Sequence, residues 1–437
     1  MGSQSVKSVG NAAAGRCLLQ DQQRLADVEL KHDKVRQLLH SQQADALLLQ
    51  DPASLAWFTA GADLSRSQPD GCQTSIFVTD DARLFATNSV DAVQLFERET
   101  FGLGFQLKQR EWHQPHSALI ADLCRGRRVI SDALVEGTTP AIRLIQGLRQ
   151  TLTPLETDRL RRLSRVLVHA VEVTACGIRQ GRTESDVAGE IGHRLLRRTV
   201  WPVRIQVAAD GRNQRYRHWG FGEDVIERSA VISCTARRWG LHTAVTRTVS
   251  LGAASERLQK AHSQAVLMHA TGMYFSRPSQ QVADVWSKVQ RIYEKFGLPD
   301  EWRQSDQAEQ LGYQLLENQL RPGSEHRLSS GQVLFWHPSV DQAMCGDSIL
   351  TGDRVECLTA SEKWPSLIVQ VRGVPVTVAA ILQIPATDTH NSQGSEWEQL
   401  VSQLDEVSAD DENGLGSHWE LFPVSDQQQG RGGLKLC

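Results

Sequence analysis

Apolar and polar residues alternate along the first third of the chain in a pattern that predicts helices interleaved with strands. Between residues 25 and 39, apolar side chains recur at helical spacing, at Leu25, Val28, Val35, Leu38 and Leu39. The apolar run 44–49 predicts a buried strand, and the runs 75–79 and 83–87 predict a hairpin. Further segments complete the pattern, namely a helix at 90–98, a strand at 105–108, a helix at 118–124 and a strand at 128–131. Such alternation is typical of an α/β domain.

A second domain is predicted to begin near residues 151–156, where Pro154 opens a long helical pattern. Gly181 can end this first helix in the left-handed conformation, and Thr183 with Asp186 can cap the next one. A strand at 203–210, the segment 230–252 and two helices at 256–274 and 281–296 follow. From residue 386 onward the chain is rich in Ser, Gln, Asp, Glu and Gly, a composition that predicts a flexible tail.

Composition and charge narrow the classes of protein to be considered. The 437 residues suggest two or three domains, and a formal net charge of −4 gives no electrostatic basis for binding nucleic acid. The eight cysteines are scattered without a CxxC pair, which favours a reducing compartment. The N-terminus lacks the apolar core of a signal peptide, and no stretch approaches the roughly 20 apolar residues of a membrane span. We therefore expect a cytoplasmic protein with no membrane and no nucleic-acid partner.

The segment 230–252, AVISCTARRWGLHTAVTRTVSLG, carries Gly240, the triplet Thr246-Arg247-Thr248 and Gly252. In this order it resembles the metal-binding hairpin of the pita-bread metallopeptidase family, which includes methionine aminopeptidase, prolidase, Xaa-Pro aminopeptidase and the metal-free creatinase. In that family two aspartates, eleven residues apart, bridge two metal ions. The matching positions here are Ser233 and Ala244.

The resemblance also implies where the family's three remaining metal ligands would lie. Its histidine position falls on Glu309, its first glutamate position on His337, and its second glutamate position on Gly346, with Asp347 beside it. No position keeps its expected ligand. Hard oxygen ligands are needed to hold two divalent ions around a shared hydroxide, so we expect no two-metal centre and no cofactor.

One functional residue of the family is retained. The segment GRNQRYRHWG places His218 where the proline-specific peptidases have a substrate-contacting histidine and creatinase has its acid/base. Imidazole suits such a role because its pKa lies near neutrality. A second substrate histidine of the peptidases falls on Leu316, followed by a retained Glu317. Other side chains are expected at the same pocket, namely Glu309, His337, Asp347 and His242, which either hold a single ion or form a polar floor without one.

The fold implied by the resemblance is α+β, with a creatinase-like N-terminal α/β domain followed by a pita-bread domain. The predicted boundaries are a flexible N-terminus at 1–20, the first domain at 21–152, the second at 153–385 and a polar, acidic tail at 386–437. A homodimer is implied by the same resemblance.

Three functional hypotheses follow. The first is a pseudopeptidase or repurposed protein that binds a small amino-acid, peptide or guanidino-like ligand or a partner. The second is a metal-independent, creatinase-like hydrolase of a C–N bond that uses His218. The third is a metal-dependent Xaa-Pro aminopeptidase, which the residues at the five ligand positions disfavour.

Overall fold

The computed structural model describes residues 11–64 and 74–385, with side chains from residue 22 onward. Residues 1–10 and the predicted tail at 386–437 lie outside the described residues. The chain divides into two compact units. The first comprises the described residues up to Arg159 together with Trp239–Leu241, and the second comprises Leu160–Arg238 and the residues from His242 onward.

The first unit is built on one six-stranded sheet in the order β4-β3-β2-β1-β5-β6. Its strands are β1 Ala46–Leu49, β2 Ser75–Val78, β3 Arg83–Asn88, β4 Gln106–Arg110, β5 Val129–Ser131 and β6 Thr139–Pro140. Its helices are α1 Asn11–Gln42, α2 Pro52–Phe58, α3 Ala92–Gln94 with a π-helical continuation at Leu95–Glu99, α4 His116–Cys124 and α5 Ile142–Arg149.

The centre of this sheet explains why its sequence is continuously apolar. All four residues of β1 are buried, and β1 pairs antiparallel with β2 on one side and parallel with β5 on the other, in the interior of the sheet. Strands buried on both faces lack polar alternation. The predicted order of helices and strands is confirmed, although α1 begins at Asn11 rather than near Leu25 and its backbone is helical through residues 11–20 of the predicted flexible terminus.

The second unit contains a nine-stranded sheet with the path β11-β10-β12-β15-β9-β8-β7, to which β16 and β19 are added. The strands are β7 Trp201–Ala209, β8 Ser229–Arg238, β9 Leu241–Leu251, β10 Ala308–Leu311, β11 Asn318–Gln319, β12 Val333–Trp336, β13 Ser339–Val340, β14 Ala343–Met344, β15 Gly346–Leu350, β16 Glu356–Cys357, β17 Ser366–Val371, β18 Val374–Ala379 and β19 Leu382–Ile384. The helices are α6 Pro154–Cys176, α7 Glu184–Leu196, α8 Glu256–Phe275 and α9 Val282–Lys295, with short 3₁₀ turns at Arg212–Gln214 and Glu301–Gln304.

Local sequence signals account for two connections in this part of the chain. Gly181 has φ +92°, and Thr183 forms a capping box with Asp186 at the start of α7, as predicted. Strands β8 and β9 are joined by the two residues Trp239 and Gly240, with φ +54° and +78°. Positive φ at both central residues is the requirement of a tight hairpin turn whose twist matches its strands.

The long sheet of this unit curls strongly. Strands β7 and β10 are five steps apart along the sheet path, which in a flat sheet would separate them by about 24 Å. Arg204 on β7 nevertheless donates two hydrogen bonds to the carboxylate of Glu309 on β10, at 3.1 and 2.7 Å. The face that carries these two side chains is therefore concave.

Helix α8 packs on the opposite, convex face. It is buried nearly all round because the central sheet lies on one side and the β17–β18 hairpin on the other. Gly272 of α8 faces Trp336 of β12, whose indole nitrogen donates to Ser276 Oγ at 2.9 Å. A Cβ atom at Gly272 would lie 2.5 Å from the Trp336 ring, so this helix approaches the sheet only with glycine at that position.

We expect Gly272→Ala to lower the free energy of unfolding by about 1–3 kcal/mol, because overpacking a core forces the backbone or the indole to move. Gly189→Ala in α7 is the matched control, since nothing lies within 4 Å of its would-be Cβ. That substitution should raise stability by about 0.4–1 kcal/mol. Chemical denaturation of both variants measures the difference, and equal stabilities would contradict the α8–β12 contact.

Candidate functional site

The two aspartate positions and the second glutamate position of the resemblance lie together on the concave face. Thr246 stands opposite Ser233 and donates its hydroxyl to Ser233 Oγ at 2.9 Å. Gly346 of β15 pairs with Thr246 on the other side. Ala244 lies two residues along β9, so its side chain points to the same face as that of Thr246. The side chains at Ser233, Ala244 and Gly346 offer only a hydroxyl, a methyl and a hydrogen, respectively.

The remaining two positions complete the same face. Residues paired across antiparallel strands share a face, and Glu309 pairs with Phe335, which pairs with Ser348. His337 follows two residues after Phe335, and its Cβ lies 3.1 Å from the would-be Cβ of Gly346. The structure therefore brings Ser233, Ala244, Glu309, His337 and Gly346 to one concave surface.

The single carboxylate among these five positions already has a cationic partner. Both oxygens of Glu309 accept from the two terminal nitrogens of Arg204, and Glu309 is buried. Such a two-point guanidinium–carboxylate contact is among the stronger side-chain interactions. Burial disfavours the charged guanidinium, but the hydrogen bond and charge of Glu309 outweigh it and raise the pKa of Arg204.

His337 is a buried imidazole without a hydrogen-bond partner among the described residues. Its side chain is 1% exposed, and both ring nitrogens are unpaired in residues 22–64 and 74–385. The ring stacks on Phe335 at a centroid distance of 4.7 Å, and Nε2 lies 3.9 Å from a Glu309 oxygen. Burial lowers the pKa of His337 to about 4, against the opposing effect of Glu309 and Asp306, so the ring is neutral at neutral pH.

His218 lies at the solvent-facing side of this group. Its side chain is 38% exposed, and Nε2 contacts the carboxylate of Asp306 and lies 3.3 Å from Ser305 Oγ. The His218 and His337 rings are 6.2 Å apart between centroids. The hydrogen bond from His218 holds the pKa of Asp306 well below its usual range. His218 is thus an imidazole oriented by a carboxylate, next to the concave face.

Asp347 is not brought to this surface. It follows Gly346 on β15 and points to the convex face, where Arg247 Nη1 donates to it at 3.0 Å and Thr359 Oγ1 at 2.7 Å. Arg247 also donates to Glu172 of α6 at 2.8 Å and to the carbonyl of Thr359. Burial disfavours the charge of Arg247, but Asp347 and Glu172 more than compensate, and its pKa is raised. Asp347 therefore belongs to a buried ion network that joins the sheet to α6.

His242 and Glu317 meet around Gly312, beyond the end of β10. The backbone nitrogen and Nδ1 of His242 each donate to the Gly312 carbonyl at 2.9 Å. The Glu317 carboxylate accepts from the Gln314 backbone at 3.0 Å, and its stem packs on Gly312. Both side chains hold this turn in place.

Sequence reasoning missed three residues of the site, namely Arg204, Asp306 and Phe335. Asp306 joins Glu309 and His337 in a group whose potential ligand atoms all lie within 4.8 Å of one another. Two signals were available in the sequence. Arg204 is a charged residue within an apolar strand, and Asp306 is a carboxylate three residues before Glu309. Neither signal shows which strands meet, because that depends on the curl of the sheet.

Comparison with known proteins agrees with this geometry. Residues 158–356 match the family model of metallopeptidase family M24. The uncharacterized hydrolase/peptidase y4tL of Sinorhizobium fredii is 26% identical over 165 residues, which cover 36% of this chain and 42% of that relative. The Xaa-Pro dipeptidase of Bacillus anthracis superposes with a TM-score of 0.66 at 16% identity, over 82% of this chain and 100% of that one. The N-terminal domain of FACT complex subunit SPT16 from Cicer arietinum gives 0.60 at 13% identity, over 78% and 96%.

The curled sheet, its helices on the convex face and the preceding α/β unit define a two-domain protein with a pita-bread second domain. Within that class, residues 158–356 match metallopeptidase family M24, and the fold is similar to that of a solved Xaa-Pro dipeptidase. The predicted family resemblance and fold are confirmed. No helix among the described residues is long and apolar enough to cross a membrane.

We expect the second unit to lose stability as the pH falls from about 6.5 to about 4. Burial lowers the pKa values of His242, His262 and His269 to about 4, from 6.5 for an unperturbed histidine. Between these pH values the unfolded chain binds protons that the folded chain does not bind. The free energy of unfolding therefore falls by up to about 1.4 kcal/mol per pH unit for each histidine. Above pH 6.5 the contribution is fully present.

Chemical denaturation across this pH range measures the slope. His262→Gln should reduce the slope by the contribution of one histidine. A slope that is the same in the parent and in His262→Gln would contradict the assignment.

Proposed function

We propose that this protein is a repurposed, pseudopeptidase-type member of its family, which binds a small ligand on the concave face or a partner on its surface. The observation that carries the proposal is the charge of that face. Of the five positions where the family's two-metal members have ligands, only Glu309 carries a carboxylate, and Arg204 already pairs with both of its oxygens.

Electrostatics supports this proposal. Two divalent cations bring four positive charges, and in a buried site such charge must be matched by anionic ligands. Ser233, Ala244 and Gly346 supply none. Arg204 adds a further positive charge beside the one carboxylate. A two-metal centre of the family type does not fit this set of side chains.

The packing around Gly346 also supports the proposal that this face holds no two-metal centre. A Cβ atom at Gly346 would lie 3.0 Å from the Phe335 ring and 3.0 Å from Thr246 Oγ1. Real Cβ contacts are seldom so short, so Phe335 and Thr246 would have to shift by a few tenths of an ångström to accept a glutamate there.

The fold itself does not require peptidase activity, because one fold hosts many functions. The same architecture occurs in a subunit of the FACT complex as well as in an Xaa-Pro dipeptidase. Function must be argued from the site, and here the site lacks the chemistry of a two-metal hydrolase.

We further propose a cytoplasmic homodimer. The dimer rests on family resemblance, and the location rests on the free state of the cysteines Cys124, Cys176, Cys234, Cys345 and Cys357 among the described residues. Light scattering coupled to size-exclusion chromatography tests the dimer, which a monomer mass at micromolar concentration would contradict.

A second candidate function is supported by the contact between His218 and Asp306. A carboxylate that orients an imidazole is a recurrent acid/base arrangement. It would suit a metal-independent hydrolase of a C–N bond in a guanidino or N-methyl amino acid. Turnover of such a compound that survives chelation and is abolished in His218→Ala would establish this function.

For the main proposal we expect the purified full chain to leave Xaa-Pro dipeptides uncleaved in the presence of Mn²⁺ or Co²⁺. Elemental analysis should find fewer than two equivalents of metal per chain, because the carboxylates that hold a metal pair are absent. A thermal-shift screen of amino acids, dipeptides and guanidino compounds should reveal stabilisation without turnover. Two equivalents of metal together with Xaa-Pro cleavage would overturn the proposal.

A further inference from the structure

We propose that the concave face binds a single divalent transition-metal ion of the Zn²⁺ type, held by Asp306, Glu309 and His337. The inference deepens the proposed function and rests on it, because it names a ligand for the same face. The three residues offer ligand atoms that all lie within 4.8 Å of one another, and no other described group of His, Cys, Asp and Glu side chains does so.

The donor set differs from that of the two-metal centre implied by the family. By the resemblance, Glu309 on β10 falls at the family's histidine position and His337 after β12 falls at a glutamate position. The imidazole and this carboxylate therefore come from the opposite strands to those that the resemblance implies. Asp306, immediately before β10, belongs to none of the five family positions and supplies the third donor.

The observation that points to a ligand is the buried imidazole of His337, which lacks hydrogen-bond partners among the described residues. A buried polar group without a partner is unfavourable by about 1–3 kcal/mol. His337 is 1% exposed, its two ring nitrogens lack hydrogen-bond partners among the described residues, and Nε2 lies 3.9 Å from a Glu309 oxygen. That separation is too long for a hydrogen bond. It suits two ligands of one ion, because metal–ligand bonds of about 2 Å place the ligand atoms more than 3 Å apart.

The chemistry of the donors selects the kind of ion. One imidazole and two carboxylates are ligands that Zn²⁺ and similar ions accept, and three protein ligands leave one position open for water or substrate. Glu309 can serve while it pairs with Arg204, since an ionised carboxylate has about four acceptor positions. The Asp306 side chain is 27% exposed, which gives an ion access from solvent.

His218 completes the arrangement as a positioning residue. Its Nε2 contacts the Asp306 carboxylate, as the groups behind metal ligands commonly do. The total charge of Asp306, Glu309 and Arg204 is −1, enough for one divalent ion with an exchangeable anion or hydroxide, and far short of the charge that a metal pair needs.

The test uses the full chain, stripped with a chelator and returned to metal-free buffer. We expect Co²⁺ titration, followed by visible absorption, to saturate at one equivalent per chain, and Zn²⁺ to displace it. Asp306→Asn and His337→Gln should each weaken binding at least about tenfold, by analogy with the losses seen when groups around a metal ligand are removed. His262→Gln is the matched control, because this buried histidine lies on α8, on the convex side of the sheet, and should leave binding unchanged.

Asp306→Asn carries the test if His337→Gln fails to fold, because Asp306 is partly exposed and thermal unfolding can verify its fold. The inference is overturned if no ion binds, or if Asp306→Asn binds as tightly as the parent, which would indicate adventitious binding elsewhere. In either case, absence of Xaa-Pro cleavage leaves the proposed function standing. Two equivalents of metal with Xaa-Pro cleavage would overturn both.

Discussion

The curl of the central sheet of the second unit is the constraint on which the candidate site depends. Arg204 and Glu309 come from strands that lie five steps apart, and they meet only because the sheet bends until its concave face nearly closes. The same face carries His337, Ser233 and Ala244, which lie on or next to the neighbouring strands between β7 and β10.

Buried charged and polar side chains have different partners on the two faces of this sheet. On the convex face, Arg247 donates to Glu172, Asp347 and the Thr359 carbonyl, so that buried network joins sheet to helix. On the concave face, Arg204 and Glu309 pair through two hydrogen bonds, while both ring nitrogens of His337 lack hydrogen-bond partners among the described residues. Both ring nitrogens of His269 in α8 also lack such partners, so what distinguishes His337 is that it lies in a cluster with Asp306 and Glu309.

Much of the fold could be predicted from the sequence, because local signals are strong there. The buried run of β1, the capping box at Thr183 and the spacing of Gly240 and Gly252 each correspond to an observed element. The assignment of the family's ligand positions to Ser233, Ala244, Glu309, His337 and Gly346 rests on one aligned hairpin and three short segments and stays a prediction, although the structure brings these five residues to one surface.

The rest depends on tertiary structure that local patterns do not encode. Strand alternation turns Asp347 away from Gly346, although the two are neighbours in sequence. The Arg204–Glu309 contact spans 105 residues and requires the curl. Asp306 lies two residues before its strand, outside regular secondary structure, so no periodicity indicates where its carboxylate points. These residues determine the electrostatics of the site, which sequence spacing alone cannot supply.

The packing of Phe335 against Gly346 affects how substitutions at these two positions would change the stability of the protein. A glutamate at position 346 would require the Phe335 ring or Thr246 Oγ1 to shift by a few tenths of an ångström, whereas a smaller residue at 335 would leave His337 without its stacking partner. Substitutions at 335 and 346 act on the same packing contact, so we expect their effects on stability to be non-additive.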